Sequence, residues 1–335
     1  MATIRTGSHA FVRYGYESTF GDSATATADR KFGVNDRLTN WSLTNQRVDL
    51  PALNQVAVEN YAYGQQQGSL GMTFNLSNPW VFASVFNKST QTGSYTNVFG
   101  SNTATAMNKE VKGITVQIGI GGDVADILRT ASGCIANSLS VSASVGDVVE
   151  CSMDMTYGIE NAVSGTLGSA PTGPAEEFPY TFAHGVVTYG DAVLATVQDV
   201  DITFAQNAEL LYKVGSHQAV STYRRIFDIT GTFRAAHLDK TVFDDLFAQI
   251  NQGSYAETVK GRASPPTVEF KLVFQNKTST PTSKIEIEGF GLSPSDLGIS
   301  GIAPGEPIFE NVSWRVKTCK VTSTTAASAP NDTKN

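Results

Sequence analysis

Along most of this chain apolar and polar residues alternate one for one. In SLSVSASV, Leu139, Val141, Ala143 and Val145 alternate with Ser138, Ser140, Ser142 and Ser144, and a period of two puts the apolar set on one face of a strand. The same pattern runs through ITVQIGIG (Ile114, Val116, Ile118, Ile120), VDITF (Val200, Ile202, Phe204), VEFKLVF (Val268, Phe270, Leu272, Phe274) and KIEIE (Ile285, Ile287). Such runs predict half-buried antiparallel strands, not the continuous apolar runs of parallel sheets. Helical spacing occurs at two places only. Asn78 caps the first helix, with Pro79 at its first position, ahead of VFASVF; Asp239 caps the second, ahead of VFDDLF. Val81, Phe82, Val85 and Phe86 match Val242, Phe243, Leu246 and Phe247, one apolar stripe used twice and expected to lie on a sheet each time. The fold class is mainly β, with two tandem β-sandwich or barrel units, each flanked by one short helix.

The segments around the two helices also line up. Trp41–Thr44 matches Val200–Thr203, and Thr73-Phe74 matches Thr232-Phe233, both 159 residues apart. Strand, long segment, strand, helix, strands is the order in both halves, which reads as a duplicated domain. The expected boundaries are a first domain with an N-terminal arm at 1–160, a Gly/Pro-rich linker at 161–180, a second domain at 181–321 and a disordered tail at 322–335. Two long loops are expected, Gln46 to Gln67 and Gln206 to Arg224. Loops of that length usually have a job. Leu210, Leu211, Tyr212 and Val214 in the second are costly to leave in water and point to a partner.

A chain of 335 residues with 41% hydrophobic residues can bury a substantial core. Only 16% are charged, and the net charge of −7 excludes a broad basic surface for gripping nucleic acid. No signal peptide or membrane-length apolar run is present, so the expectation is a chain that stays soluble where it is made. Cys134, Cys151 and Cys319 are too widely spaced for a zinc cage and read as small buried hydrophobes. His9, His184, His217 and His237 are scattered, IGIGGD lacks a third phosphate-cradling glycine, and no nucleophile motif occurs. Glu286 and Glu288, two apart on one strand face, read as a solvated face and not as a glycosidase pair. No enzyme, metal or cofactor is expected.

YGYESTFG near the start, and FAHGVVTYGDAVLATVQDVDITFAQNAELLYKVGSHQAVSTYRRIFDITGTF later, resemble the tail tube proteins of long-tailed (siphovirus-type) phages and related archaeal viruses. The resemblance implies a structural virion protein assembled in the host cytoplasm. Six units would form a ring whose sheets join around a lumen, a two-copy chain making the ring as a trimer. Rings would stack through the long loops, with tail tip, tape measure and tail terminator proteins as partners, no membrane, and double-stranded DNA passing without specific binding. An acidic or neutral polar wall avoids phosphate drag, so Asp199, Asp201 and Thr203, with Asn40, Ser42 and Thr44, are the candidate lumen residues. The open alternatives are a two-domain β-sandwich adhesin or carbohydrate-binding module, a capsid protein or a tail terminator.

Overall fold

In a computed structural model of the chain, residues 10–21, 30–50, 60–86, 89–91, 96–101, 103, 111, 113–120, 127–163, 179–190, 192–194, 196–236, 238, 242–244, 246–247, 250, 270–276, 283–300, 304 and 307–325 are described. Strands of the N-terminal half are β1 (Ala10–Tyr16), β2 (Val34–Leu50), β3 (Asn60–Asn75), β4 (Ser89–Gln91), β5 (Thr96–Gly100), β6 (Ile114–Ile120), β7 (Ile127–Ser144), β8 (Glu150–Tyr157) and β9 (Ile159–Val163), with helix α1 (Val81–Phe86) between β3 and β4. The C-terminal half holds β10 (Thr181–Tyr189), β11 (Ala192–Val193), β12 (Val197–Ala205), β13 (Ala208–Leu211), β14 (Ser221–Arg224), β15 (Asp228–Ala235), β16 (Phe270–Gln275), β17 (Ser283–Phe290), β18 (Ser293–Ser300), β19 (Phe309–Val316) and β20 (Thr318–Thr325). A second helical segment, α2, is described at 242–244, 246–247 and 250.

The inner layer is one antiparallel sheet in the order β18-β19-β15-β12-β7-β8-β3-β2. Against its apolar face lies an outer layer, formed by β1, β6, β9 and the N-terminal half of β7 on one side and by β11-β10-β16-β17-β20-β5-β4 on the other. Phe270 on β16 packs on Phe233 of β15 and on Trp314 of β19, at centroid distances of 6.5 and 4.5 Å. At the other end Tyr14, Phe32 and Phe74 stack in series. The expected alternation is present: Leu139, Val141 and Ala143 are buried while Ser138, Ser140 and Ser142 are half-buried.

Strand β7 belongs to both layers. Its first half pairs with β6 and β9, its second with β8 and β12. The crossing is made at Gly133, whose φ of 63° suits glycine, and at a bulge between Ala136 and Ser138. In the C-terminal half the same crossing separates β17 from β18 at Gly291, φ 67°, with a bulge between Pro294 and Asp296.

Asn78 caps α1 as expected, its Oδ1 accepting the Trp80 N–H at 3.2 Å. Three expectations are corrected. The segment from Gln46 is no loop: β2 and β3 run on as a paired arm, Arg47 opposite Tyr63 and Leu50 opposite Asn60, because pairing satisfies backbone groups that a loop would leave to water. The second arm is likewise a hairpin, β13 with β14. The expected tail begins inside β20, where Val321 and Ser323 are buried and Ser283 pairs with Thr325. Of the expected linker at 161–180, residues 161–163 belong to β9 and Tyr180 is buried, while 164–178, like Asp239 and Val268, lie outside the described residues.

Candidate functional site: an internal seam and two open edges

At the middle of the inner sheet β7 of one half pairs with β12 of the other. Leu139 lies opposite Phe204 and Val141 opposite Ile202 on the apolar side; Ser140 lies opposite Thr203 and Ser142 opposite Asp201 on the polar side. The Ser140 Oγ and Thr203 Oγ1 atoms are 2.9 Å apart. Beneath this seam α1 crosses from its own half onto the other. Phe82 and Phe86 pack edge-on against Phe204 at 6.0 and 5.5 Å, and Phe86 also meets Phe227 at 5.4 Å. Helix ends leave carbonyls unpaired, and here two side chains from the other half fill the need. Gln206 Nε2 donates to the Ser84 and Val85 carbonyls at 2.8 and 2.7 Å, and the Arg224 guanidinium donates to Val85 O at 2.8 Å. Burial lowers the Arg224 pKa to about 10, which still leaves it charged at neutral pH.

The ends of the same sheet are open. Among the described residues β18 has a strand on one side only, as does β2. Their side chains are those of the seam, but uncovered. On β18, Leu297 and Ile299 occupy the positions that Leu139 and Val141 hold on β7, since each sits two and four residues beyond the matching bulge. Val141 is 1% exposed and Ile299 51%. Trp41 and Leu43 on β2 correspond to Ile202 and Phe204 on β12, and again Phe204 is fully buried while Leu43 is 40% exposed. Followed through β8 and β19, this register places Trp41 161 residues before Ile202, two more than the spacing expected from the sequence.

A sequence model of the phage tail tube protein family matches residues 7–316. The chain belongs to the phage tail tube protein family. No curated protein matches it. As a tail tube protein it is a structural component of the virion tail, whose family self-assembles into a tube with other tail proteins.

Within this tail tube protein all six residues named for a lumen fall on one surface. Asn40, Ser42, Thr44, Asp199, Asp201 and Thr203 share the polar face of the inner sheet, away from the core. Carboxylates on that face (Glu150, Asp154, Asp199, Asp201, Asp228, Asp296) outnumber guanidinium groups (Arg37, Arg234, Arg315). Arg234 and Arg315 are themselves paired with Asp199 and Asp228. No helix among the described residues is long and apolar enough to cross a membrane, and no group of metal-ligating side chains occurs among them.

The named arm residues divide. Leu211 and Val214 are exposed and Leu210 half-buried, whereas Tyr212 turns back, its hydroxyl donating to Gln66 O of the first arm at 2.7 Å. Gln66 N–H in turn donates to His217 O at 2.8 Å. Of the helix residues, Val81, Phe82, Phe86 and Val242 are buried and Phe243 is half-buried. Phe247 is the exception at 54% exposed. Glu286 and Glu288 stand in a ladder with Lys271, Lys284 and Lys320, an ion-paired outer face.

Sequence reasoning missed two carboxylates. Glu17, inside YGYESTFG, is 1% exposed; Oε1 accepts from Thr115 Oγ1 at 2.7 Å and Gly133 N at 2.8 Å, and Oε2 accepts from Gly21 N at 2.7 Å. It ties the N-terminal strand to the β7 bend. Glu160 holds Trp41 at the open edge, accepting from Trp41 Nε1 at 3.3 Å, Tyr157 OH at 2.5 Å and Arg129 Nε at 2.5 Å. Burial alone raises its pKa, but the bonds from Arg129, Tyr157 and Trp41 together outweigh that and leave it lowered. A lone Glu in YGYES or IENAV carries no periodic signal, so only the fold reveals either role.

Proposed function

We propose that the chain is a duplicated tail tube subunit of a long-tailed virus, three copies of which close into a pseudo-hexameric ring. Rings stack into the conduit for DNA ejection. The observation that carries this reading is the β7–β12 seam: it is a worked example, inside one chain, of the contact that β18 of one molecule would make with β2 of the next. Transferring its register puts Ile299 opposite Trp41, Gly298 opposite Ser42 and Leu297 opposite Leu43. Exposed sheet edges invite pairing, and closure removes them. The contact is head-to-tail, so it closes only where rotation returns to the start. The two halves then correspond to the two domains.

In such a ring the polar face of the inner sheet lines the lumen, and its excess of carboxylates repels phosphate weakly along the whole wall. The arms, with exposed Tyr61, Tyr63, Leu211 and Val214, extend beyond the sandwich toward a neighbouring ring. Assembly in the host cytoplasm and contacts with tail tip, tape measure and terminator proteins follow from the same reading. Three chains of eight inner strands, at about 4.8 Å per strand, give a wall roughly 115 Å around and about 37 Å across at the backbone before tilt widens it. Negative-stain microscopy of the purified chain is the test: hollow rings or tubes with three-fold symmetry are expected, and a monodisperse monomer at high concentration would count decisively against the proposal.

A further inference from the structure

We infer that α2 is a clamp that crosses to the next molecule: Phe247, with Phe243 stacked beside it, docks on that copy's Leu43. The inference rests on the ring reading and adds to it a second, side-chain interface beneath the sheet pairing. Its occupant is a second copy of this chain.

The argument is the mismatch between two helices with one pattern. Val81 and Val85 of α1 correspond to Val242 and Leu246 of α2, and all four are buried under their own half. Phe82 and Phe86 correspond to Phe243 and Phe247. The first pair is 0% and 2% exposed because Phe204 and Phe227, from the other half, cover it. In the second pair Phe243 is half-buried against the core, and among the described residues no ring from another element packs on Phe247. The two rings stack on each other at 6.3 Å and 8°, Phe247 stays 54% exposed, and Ile250 beyond it is also exposed.

What α1 touches across the seam has a counterpart on the open β2 edge. Leu43 stands where Phe204 stands, on the apolar side and 40% exposed. Apolar surface of this kind is costly to leave in water. Since α1 lies against β7 and β18 is the counterpart of β7, the same correspondence sets α2 against β18, so that exposed Phe247 and exposed Leu43 would meet where the ring joins its two edges. Sheet pairing and helix docking would therefore form together, as they do within the chain.

The test uses the full chain and reads the concentration at which rings form, by light scattering and microscopy, for wild type, Phe247→Ser, Leu43→Ser and the double variant. Both sites are exposed in the single chain, so thermal unfolding of the unassembled protein should be unchanged. Each single variant is expected to raise the assembly concentration by roughly tenfold to a hundredfold. The double variant should be little worse than either single one, since both remove the same contact. Assembly of Phe247→Ser at the wild-type concentration, or strictly multiplicative effects in the double variant, would overturn the clamp and leave the ring reading standing. A wild-type chain that never forms rings would remove both.

Discussion

At the scale of single residues, the least conspicuous groups hold the edge in shape. Trp41 is held by its hydrogen bond to Glu160, and Arg129 lies over its indole at 5.1 Å. The Glu160 carboxylate is favoured in its charged form by the folded state, so its pKa lies below the ordinary value of about 4.3. The stability it contributes is complete above the unfolded pKa and is lost as pH falls through the folded one. Glu160→Gln is therefore expected to cost about 1.5–3 kcal/mol at pH 7 and to flatten the decline in stability below roughly pH 4.3. Urea unfolding of both proteins across pH 3 to 7 checks this; parallel pH curves would show that the carboxylate is not the group responsible.

At the scale of elements, strand β7 illustrates how a bend is made to last. Gly133 sits at φ 63°, and a Cβ there would come within 2.7 Å of the Phe20 ring; Gly291, at φ 67°, faces only the flexible stem of Lys317 at 2.8 Å. Gly291→Ala is expected to cost about 1–2 kcal/mol from backbone conformation alone, and Gly133→Ala distinctly more, because a half-buried, rigid aromatic ring yields less readily than a lysine stem. Chemical denaturation of the two variants measures the difference, and equal losses would refute the role given to Phe20. The strands themselves were plain in the sequence, since alternation such as that of Leu139, Val141 and Ala143 reports a half-buried sheet directly. What stayed hidden was where β7 leaves one layer for the other, and that the segment after Gln46 is a paired arm. Polar arms such as TNQRVD and AYGQQQG alternate too weakly to be told from loops, and bulges at Leu38/Asn40 and Ala136/Ser138 shift register without any composition mark.

At the scale of the whole molecule, the polar face of the inner sheet was legible because Asp199, Asp201 and Thr203 alternate with buried residues. The edges were not, since Leu43 and Ile299 look like any other strand residues until their buried counterparts Phe204 and Val141 are seen. The transferred register can be tested directly. Gly298 has open space where a Cβ would stand, so Gly298→Cys with Ser42→Cys should form a disulfide between molecules on oxidation. Non-reducing gels should show dimer and then trimer, with nothing larger, while moving either cysteine by one residue should abolish the ladder; species beyond trimer would mean an open filament. In the proposed ring one seam in every pair would be supplied by the polypeptide itself, and a tethered contact of that kind forms at an effective concentration in the millimolar range whatever the abundance of the protein. Only even numbers of staves can then be recruited. The tethered contact would also be relieved of recognising a stranger, which leaves Ile202 free to remain small and aliphatic where the proposed bimolecular joint has Trp41.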